Sequence, residues 1–146
     1  MRVLVLHGPN LNRLGVREPA IYGRDSLDVI NDELARLASD LGATATARQS
    51  NREGELVEWV QSAANSFDGL LINPGAYTHT SIALRDALAA SGIPAVEVHL
   101  SNPWSREGFR YVSYLEGVVR GRVAGFGKAG YLLALRGLVG LLQESR

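Results

Sequence analysis

The chain has 146 residues, of which 46% are hydrophobic and 21% are charged, and its 15 basic and 15 acidic residues give a formal net charge of zero. This length and composition predict one globular domain spanning residues 1–146. Balanced charge gives no electrostatic reason to expect binding to nucleic acid or to a membrane. The sequence has no cysteine, which excludes disulfides and thiolate chemistry. The first apolar run is too short for a secretory or transmembrane segment, so we expect a cytoplasmic protein.

Short apolar runs alternate with amphipathic stretches along the chain. In the first of these stretches, apolar residues recur at steps of three and four from Leu27 to Leu41, as on one face of a helix. Either Asp25 or Ser26 can cap its start, and Gly42 can end it. The same reasoning predicts strands at 3–6, 43–48, 69–72, 95–100 and 118–126, and helices at 27–41, 56–64, 82–88 and 131–142.

Strands that alternate with helices indicate parallel βαβ units. Five such strands predict an α/β fold, a flavodoxin-like three-layer α/β/α sandwich with a five-stranded parallel sheet. In sheets of this kind, ligands bind outside the carboxyl ends of the strands. The segments after strands one, three and four hold nearly all the residues able to do chemistry, namely Arg17, Tyr22, Asn73, His79, His99, Ser101, Arg106 and Arg110.

The segment after the first strand is long for a loop in a small domain. It runs from Gly8 to Arg24, and loops of that length are usually functional or disordered. We expect the part from Leu11 to Tyr22 to act as a lid, because closing it would exclude water from the site.

Two patterns that suggest cofactors or metals carry little weight here. Residues 125–130 match the dinucleotide fingerprint G-x-G-x-x-G, but no further strand with an acidic ribose ligand follows them. We therefore interpret these glycines as helix–sheet packing. The three histidines, His7, His79 and His99, all lie at predicted strand ends and lack the short spacing of metal ligands on a helix. We expect no metal and no cofactor.

Several motifs resemble one known family in the order in which they occur. They are Gly8–Asn12, Arg17–Pro19, Tyr22–Gly23, Gln49–Asn51 with Glu53–Gly54, Asn73–Ser81, Glu97–Asn102, Arg106–Glu107 and Phe109–Arg110. Through them the chain is similar, over essentially its whole length, to the type II 3-dehydroquinate dehydratases. One departure is His7, which stands where the family usually has asparagine and replaces no residue to which a catalytic role is carried over.

The resemblance implies an enzyme that converts the anion 3-dehydroquinate to 3-dehydroshikimate without a cofactor, in aromatic biosynthesis by the shikimate pathway or in quinate breakdown. Water leaves by an anti elimination through an enolate. The resemblance also implies a flavodoxin-like fold assembled as a homo-oligomer, a dodecamer built from trimers. A type I enzyme would instead need a Schiff-base lysine, for which Lys128, the one lysine of the sequence, is the sole candidate.

The family's general base corresponds to Tyr22, which would take a proton from the carbon beside the ketone. Free tyrosine ionises near pH 10, so a tyrosine base needs neighbouring cations that favour the phenolate. The resemblance places Arg17 close to this tyrosine, and Arg106 is a further candidate. Asn10 corresponds to the residue that helps to hold a water near the enolate oxygen. The alternatives are a packing tyrosine and a turn asparagine after Pro9.

The general acid corresponds to His99, which would protonate the departing hydroxyl. Glu97 lies two residues earlier on the same face of the strand and could hold the imidazole in the needed tautomer. A structural histidine is the alternative. The family's substrate-binding set corresponds to Asn73, His79, Asp86, Leu100, Ser101 and Arg110, with Leu100 and Ser101 acting through their backbone amides. Asp86 would reach a neighbouring subunit's site, and its alternative is a surface salt bridge.

Three other functions stay open at this point. The chain could be another lyase or isomerase acting on a related polyhydroxy acid. It could be a non-catalytic relative that binds small carboxylates, or a flavin-binding relative of flavodoxin. The last lacks support, because no hydroxyl-rich phosphate loop follows the first strand.

Overall fold

The structure is a computed structural model that describes residues 1–16 and 18–145. Its strands are β1 (Arg2–His7), β2 (Thr44–Gln49), β3 (Gly69–Asn73), β4 (Ala95–His99) and β5 (Gly121–Ala124). Its α-helices are α1 (Pro19–Tyr22), α2 (Leu27–Asp40), α3 (Glu53–Ser66), α4 (Ile82–Ser91) and α5 (Lys128–Glu144). The strands form one parallel sheet in the order β2-β1-β3-β4-β5. This is the flavodoxin-like order, which confirms the predicted fold.

Successive residues of β1 enter two separate cores, one on each face of the sheet. Val3 and Val5 pack in the core that contains the buried residues of α2 and α5. Leu4 and Leu6 pack in the core that contains those of α3 and α4. Because side chains alternate across a strand, a continuous apolar run is what a strand covered on both faces requires. The layers are therefore α/β/α, as predicted.

Helix starts follow the sequence signals. Ser26, one of the two predicted caps, accepts a hydrogen bond from the backbone N–H of Val29 at 3.3 Å at the start of α2. Ser81 accepts one from the N–H of Leu84 at 2.9 Å at the start of α4. Each bond satisfies a backbone donor that has no partner within the helix. Within the described ranges, no helix is both long enough and apolar enough to cross a membrane.

Two predicted boundaries differ from the structure. The last strand was expected from Val118, but Val118–Arg120 is turn and bend, and β5 begins at Gly121. The segment Gly8–Arg24 is not a plain loop, because it contains a short 3₁₀ helix at Leu11–Arg13 and the helix α1.

Gly125 and Gly127 have φ angles of +98° and +58°. These angles favour glycine, so the turn into α5 accounts for them.

The chain order of the strands reverses between β1 and β3, and the loops after these two strands are in close contact. The N–H of Gly8 donates to the carbonyl of Asn73 at 2.7 Å. A Cβ on Gly8 would lie 2.6 Å from the carbonyl carbon and oxygen of Pro74, so the backbones could not approach this closely with any other residue. This reversal is where open parallel sheets bind ligands.

Candidate active site

A cleft of about 560 Å³, part of it open to solvent, lies at the carboxyl ends of the strands. Its lining comes from the loops after β1, β3 and β4, which is where the sequence placed the site. The lining residues are Pro9, Asn10, Leu11, Tyr22, Asn73, Gly75, Ala76, His79, His99, Leu100, Ser101, Pro103, Arg106 and Arg110.

Most of the predicted site residues share this one cleft, namely Asn10, Tyr22, Asn73, His79, His99, Leu100, Ser101 and Arg110, together with Arg106. Glu97 is fully buried next to His99 and does not itself line the cleft. Asp86 is exposed on α4 and does not line the cleft of its own chain. Arg17 lies outside the described residues.

His99 and Glu97 form a buried pair at the end of β4. The Nε2 atom of His99 lies 2.5 Å from Oε2 of Glu97, and alternate positions on the strand bring the two side chains to the same face. A carboxylate accepts hydrogen bonds, so Nε2 carries the donated proton. Nδ1 is then the ring nitrogen that can exchange a proton with a ligand. The predicted contact between these residues is confirmed.

Two hydroxyl groups also bind the carboxylate of Glu97. Thr78 donates to Oε2 at 2.5 Å, and Ser113 donates to Oε1 at 2.9 Å. Burial is the largest influence on this group and opposes ionisation. The hydrogen bond and charge of His99, the Thr78 hydroxyl and the charge of Arg122 together outweigh it and lower the pKa of Glu97. Glu97 is therefore an anion at neutral pH.

Arg122 on β5 places a permanent cation beside Glu97. Its Nε lies 3.6 Å from Oε2 of Glu97, its Nη1 contacts Glu116 at 3.1 Å, and its guanidinium stacks 5.1 Å from the ring centroid of Trp104. Nε and Nη2 are buried and have no hydrogen-bond partner among the described residues. The guanidinium therefore acts on Glu97 through its charge at close range.

Tyr22, the last residue of α1, lines the cleft next to Arg106. The guanidinium carbon of Arg106 lies 5.1 Å from the centroid of the Tyr22 ring, and Nη1 of Arg106 contacts the hydroxyl of Ser101 at 3.3 Å. A cation at this distance interacts favourably with the ring, and more so with a phenolate. Arg106 is thus a cation placed directly against the Tyr22 ring.

His79 has a defined tautomer. Its Nδ1 lies 2.8 Å from the carbonyl oxygen of Val112, to which it must donate, so in the neutral ring Nε2 is an acceptor. Partial burial is the main cause that lowers the pKa of His79, and the nearby positive charges of His99, Arg110 and Arg122 act in the same direction. His79 is therefore neutral at physiological pH and suited to accept a hydrogen bond from a hydroxyl.

Asn10 combines a turn role with a place in the cleft. Its φ of +69° lies in the left-handed region that asparagine tolerates, and its N–H donates to the side chain of Asn51 at 2.9 Å. The turn interpretation is therefore correct for its backbone. Asn10 also lines the cleft, so the same residue has both a turn role and a place at the site.

The charge of the cleft suits an anion. Arg106 and Arg110 both line it, and none of its described lining residues carries a carboxylate. Arg110 is mostly buried and donates through Nε to Glu107 at 2.5 Å, so it is not simply a solvated charge. The described residues contain no group of three or more His, Cys, Asp or Glu side chains able to hold a metal ion.

The sequence did not single out the residues that support the site from behind. Ser113 and Arg122 contact Glu97, and Tyr131 contacts Asn73 at 3.0 Å. Thr78 stood inside a recognised motif without any role assigned to it. A hydroxyl or guanidinium in a loop or edge strand gives no sequence signal that it is buried against a particular carboxylate.

The fold and the cleft together define a class, a flavodoxin-like α/β protein whose cleft suits a small anion and holds a tyrosine and a carboxylate-supported histidine able to move protons. The family model described as dehydroquinase class II matches residues 1–139. The chain belongs to this family, which confirms the resemblance found in the sequence.

Individual relatives agree with this membership. The chain is 59% identical over 138 residues to the 3-dehydroquinate dehydratase of Geotalea daltonii, a match that covers 94% of this chain and 96% of the relative. Crystal structures of type II dehydroquinases from Butyrivibrio crossotus and Propionibacterium acnes superpose with TM-scores of 0.92 and 0.91. Both are 42% identical to the chain, and the matches cover 94% and 95% of it and 97% and 96% of the solved chains.

Proposed function

We propose that this chain dehydrates 3-dehydroquinate to 3-dehydroshikimate in the shikimate pathway, without a cofactor, by an anti elimination through an enolate. The observation that carries the proposal is that Tyr22 and His99 line one cleft while the ionised Glu97 supports His99 from behind. An elimination of this kind needs a base for the proton beside the ketone and an acid for the departing hydroxyl. The cleft offers one side chain suited to each task.

Tyr22 acts as the base in this proposal. Arg106 supports its phenolate, and Arg17, which lies outside the described residues, is proposed to assist. The segment from Leu11 to Tyr22 acts as a lid that brings Tyr22 into place as it excludes water. As the proton leaves carbon, negative charge develops on the ketone oxygen, where Asn10 helps to hold a water that stabilises the enolate.

His99 acts as the acid and gives a proton to the departing hydroxyl, which leaves as water. The tautomer fixed by Glu97 makes Nδ1 the atom that delivers this proton. Glu97 stabilises the protonated ring before transfer, in the way that a carboxylate supports histidine in other enzymes. The double bond that forms is conjugated with the ketone of the product.

The remaining cleft residues bind the substrate anion. The carboxylate sits against the backbone amides of Leu100 and Ser101 with help from Asn73. The substrate hydroxyls meet His79 and Arg110, and the acceptor atom Nε2 of His79 suits a hydroxyl donor. A cleft that contains arginines and whose described lining lacks carboxylates favours such a ligand electrostatically.

We also propose that the protein assembles in the cytoplasm as a dodecamer built from trimers. Asp86 is exposed on α4 and does not line the cleft of its own chain, so any part that it plays in a site requires a second chain. Placing Asp86 in a neighbour's site therefore makes the oligomer part of the function. Mixing Asp86→Ala protein with an inactive Tyr22→Phe protein under subunit exchange should restore some activity if sites are shared.

The direct test is ultraviolet absorbance of purified protein mixed with 3-dehydroquinate, because the conjugated product absorbs where the substrate does not. Rising absorbance with wild type and none with Tyr22→Phe would support both the reaction and the base. A folded, oligomeric wild type that gives no rise would contradict the proposal and favour a binding protein. Turnover of a related polyhydroxy acid instead would favour a different lyase or isomerase, and a yellow purified protein would favour a flavin.

A further inference from the structure

A chain of polar side chains joined by hydrogen bonds lies beneath the cleft, and Asn73 at its end is the one member with a part in the proposed reaction. Nε2 of His7, at the end of β1, lies 2.7 Å from Oδ1 of Asn31 on α2, and its Nδ1 lies 2.9 Å from the hydroxyl of Tyr131 on α5. The same hydroxyl lies 3.0 Å from Nδ2 of Asn73. His7 and Tyr131 are fully buried. Asn73 is the member of the chain that lines the cleft.

The hydrogen bonds of this chain have one self-consistent direction. The N–H of Gly75 donates to Oδ1 of Asn73 at 3.1 Å, which makes Oδ1 an acceptor and Nδ2 the donor to Tyr131. Tyr131 has a single proton, which must then go to Nδ1 of His7. His7 consequently carries its own proton on Nε2 and donates it to Asn31.

If these hydrogen bonds ran in the opposite direction, two donors would face each other. If His7 carried a proton on Nδ1, Tyr131 would have to turn its own proton towards Nδ2 of Asn73, which is itself a donor. If the amide of Asn73 rotated to relieve that conflict, its NH₂ group would face the N–H of Gly75. A buried donor without an acceptor is destabilising, so the two arrangements are not interchangeable.

The ionisation states of His7 and Tyr131 keep these hydrogen bonds in the direction from Asn73 to Asn31 at neutral pH. Burial lowers the pKa of His7 to about 4, although its hydrogen bond with Asn31 acts in the opposite direction. Burial also raises the pKa of Tyr131, although the Asn73 hydrogen bond opposes this. His7 is therefore neutral, and Tyr131 keeps the proton that it donates.

We propose that His7 and Tyr131 are positioning residues that fix the amide of Asn73 with its NH₂ group available to the cleft. An amide nitrogen carries two hydrogens, and Tyr131 engages one of them. The other is left to donate to an oxygen of the bound anion, so the cleft selects an acceptor at this place. This inference rests on the proposed function only for the identity of that anion.

A double-mutant cycle tests the effect on binding. Tyr131→Phe should raise KM for 3-dehydroquinate by roughly tenfold and change kcat little, because it frees the amide of Asn73 without touching Tyr22 or His99. Added to Asn73→Ala, it should raise KM no further. If the two increases in KM multiplied in the double variant, Tyr131 would act independently of Asn73, and the proposal would be overturned. Val139→Ala, a buried apolar change on α5, is the control that should leave KM unchanged.

A second measurement needs no substrate and therefore stands apart from the proposed reaction. Solid-state NMR of protein labelled with ¹⁵N-histidine reports the tautomer of each of the three histidines, and His7→Gln assigns the signal of His7. Wild type should show the Nε2–H form. Asn73→Asp should convert His7 to the Nδ1–H form, because the new carboxylate takes the proton of Tyr131. An Nδ1–H form of His7 in wild type, or no change of its tautomer in Asn73→Asp, would refute the proposed direction of these hydrogen bonds.

Discussion

The guanidinium of Arg122 lies 3.6 Å from Oε2 of Glu97 and outside the lining of the cleft. This cation faces a carboxylate that also binds His99 and two hydroxyl groups, those of Thr78 and Ser113. The acid of the proposed reaction is therefore supported by a buried network whose charges alternate in sign. Substitutions in this network should therefore change how His99 acts as the acid.

Arg122→Met should shift the acidic limb of the pH profile of kcat/KM to higher pH. Arg122 is one of the causes that lower the pKa of Glu97, so its removal raises that pKa, and a protonated Glu97 lacks the negative charge that supports His99 as the acid. Profiles that superpose would contradict this role.

Glu97→Gln should lower kcat by roughly 10²–10⁴-fold and change KM little. The amide removes the charge that stabilises protonated His99, and comparable losses follow when a histidine loses its supporting carboxylate elsewhere. Steady-state kinetics by ultraviolet absorbance measure both constants. Glu116→Gln is the matched control, since this exposed acid contacts Arg122 but not His99. Equal losses in the two variants would indicate a general structural effect.

Arg106→Gln should lower kcat for 3-dehydroquinate by roughly tenfold or more, because the variant removes the cation placed over the ring of the proposed base. Steady-state kinetics by ultraviolet absorbance measure kcat and KM. Arg120→Gln, at an exposed position, should match wild type. A variant that keeps the wild-type kcat would exclude Arg106 as a support of the base.

The buried His7 should make stability depend on pH. Its pKa is about 4 in the folded chain and about 6.5 when unfolded, so the unfolded state binds more protons between these values. Stability is therefore full above about pH 6.5 and falls as the pH drops towards 4. Between pH 7.5 and 5, wild type should lose about 2 kcal/mol more than His7→Gln in urea denaturation. Parallel losses in both proteins would show that His7 does not titrate with unfolding.

Borohydride added with substrate should leave the protein active and unmodified. Lys128 contacts Glu33 at 2.9 Å and Asp25 at 3.6 Å, and it does not line the cleft. The hydrogen bond with Glu33 raises the pKa of Lys128, so the amine stays protonated and is a poor nucleophile. Intact-protein mass spectrometry would reveal any reduced adduct. An adduct on Lys128, with loss of activity, would contradict the enolate route.

The sheet could be predicted because its central strands are buried on both faces and therefore read as unbroken apolar runs. The same rule misplaced the start of the last strand. Val118 and Val119 pack against the core that contains α3 and α4, yet their N–H groups bond to the carbonyl of Leu115 in a turn. Burial of a side chain and the direction of its backbone are separate properties, and an apolar run reports only the first.

The cleft could be predicted because the carboxyl ends of parallel strands meet at one edge of the sheet, which gathered Tyr22, His79 and His99. The supporting contacts could not be predicted in the same way. His7 and Tyr131 are 124 residues apart in the chain, and Ser113 reaches Glu97 from a loop without regular structure. Such pairs depend on how helices and loops pack, which neither spacing nor composition records.

The polar chain beneath the cleft joins the first strand to the last helix, and this has a consequence for biosynthesis of the protein. A ribosome makes His7 with the first strand and Tyr131 only after the whole sheet has been translated. Before α5 leaves the ribosome, Asn73 lacks the hydroxyl that orients it. A nascent chain therefore cannot present a complete binding surface until its last helix has been made.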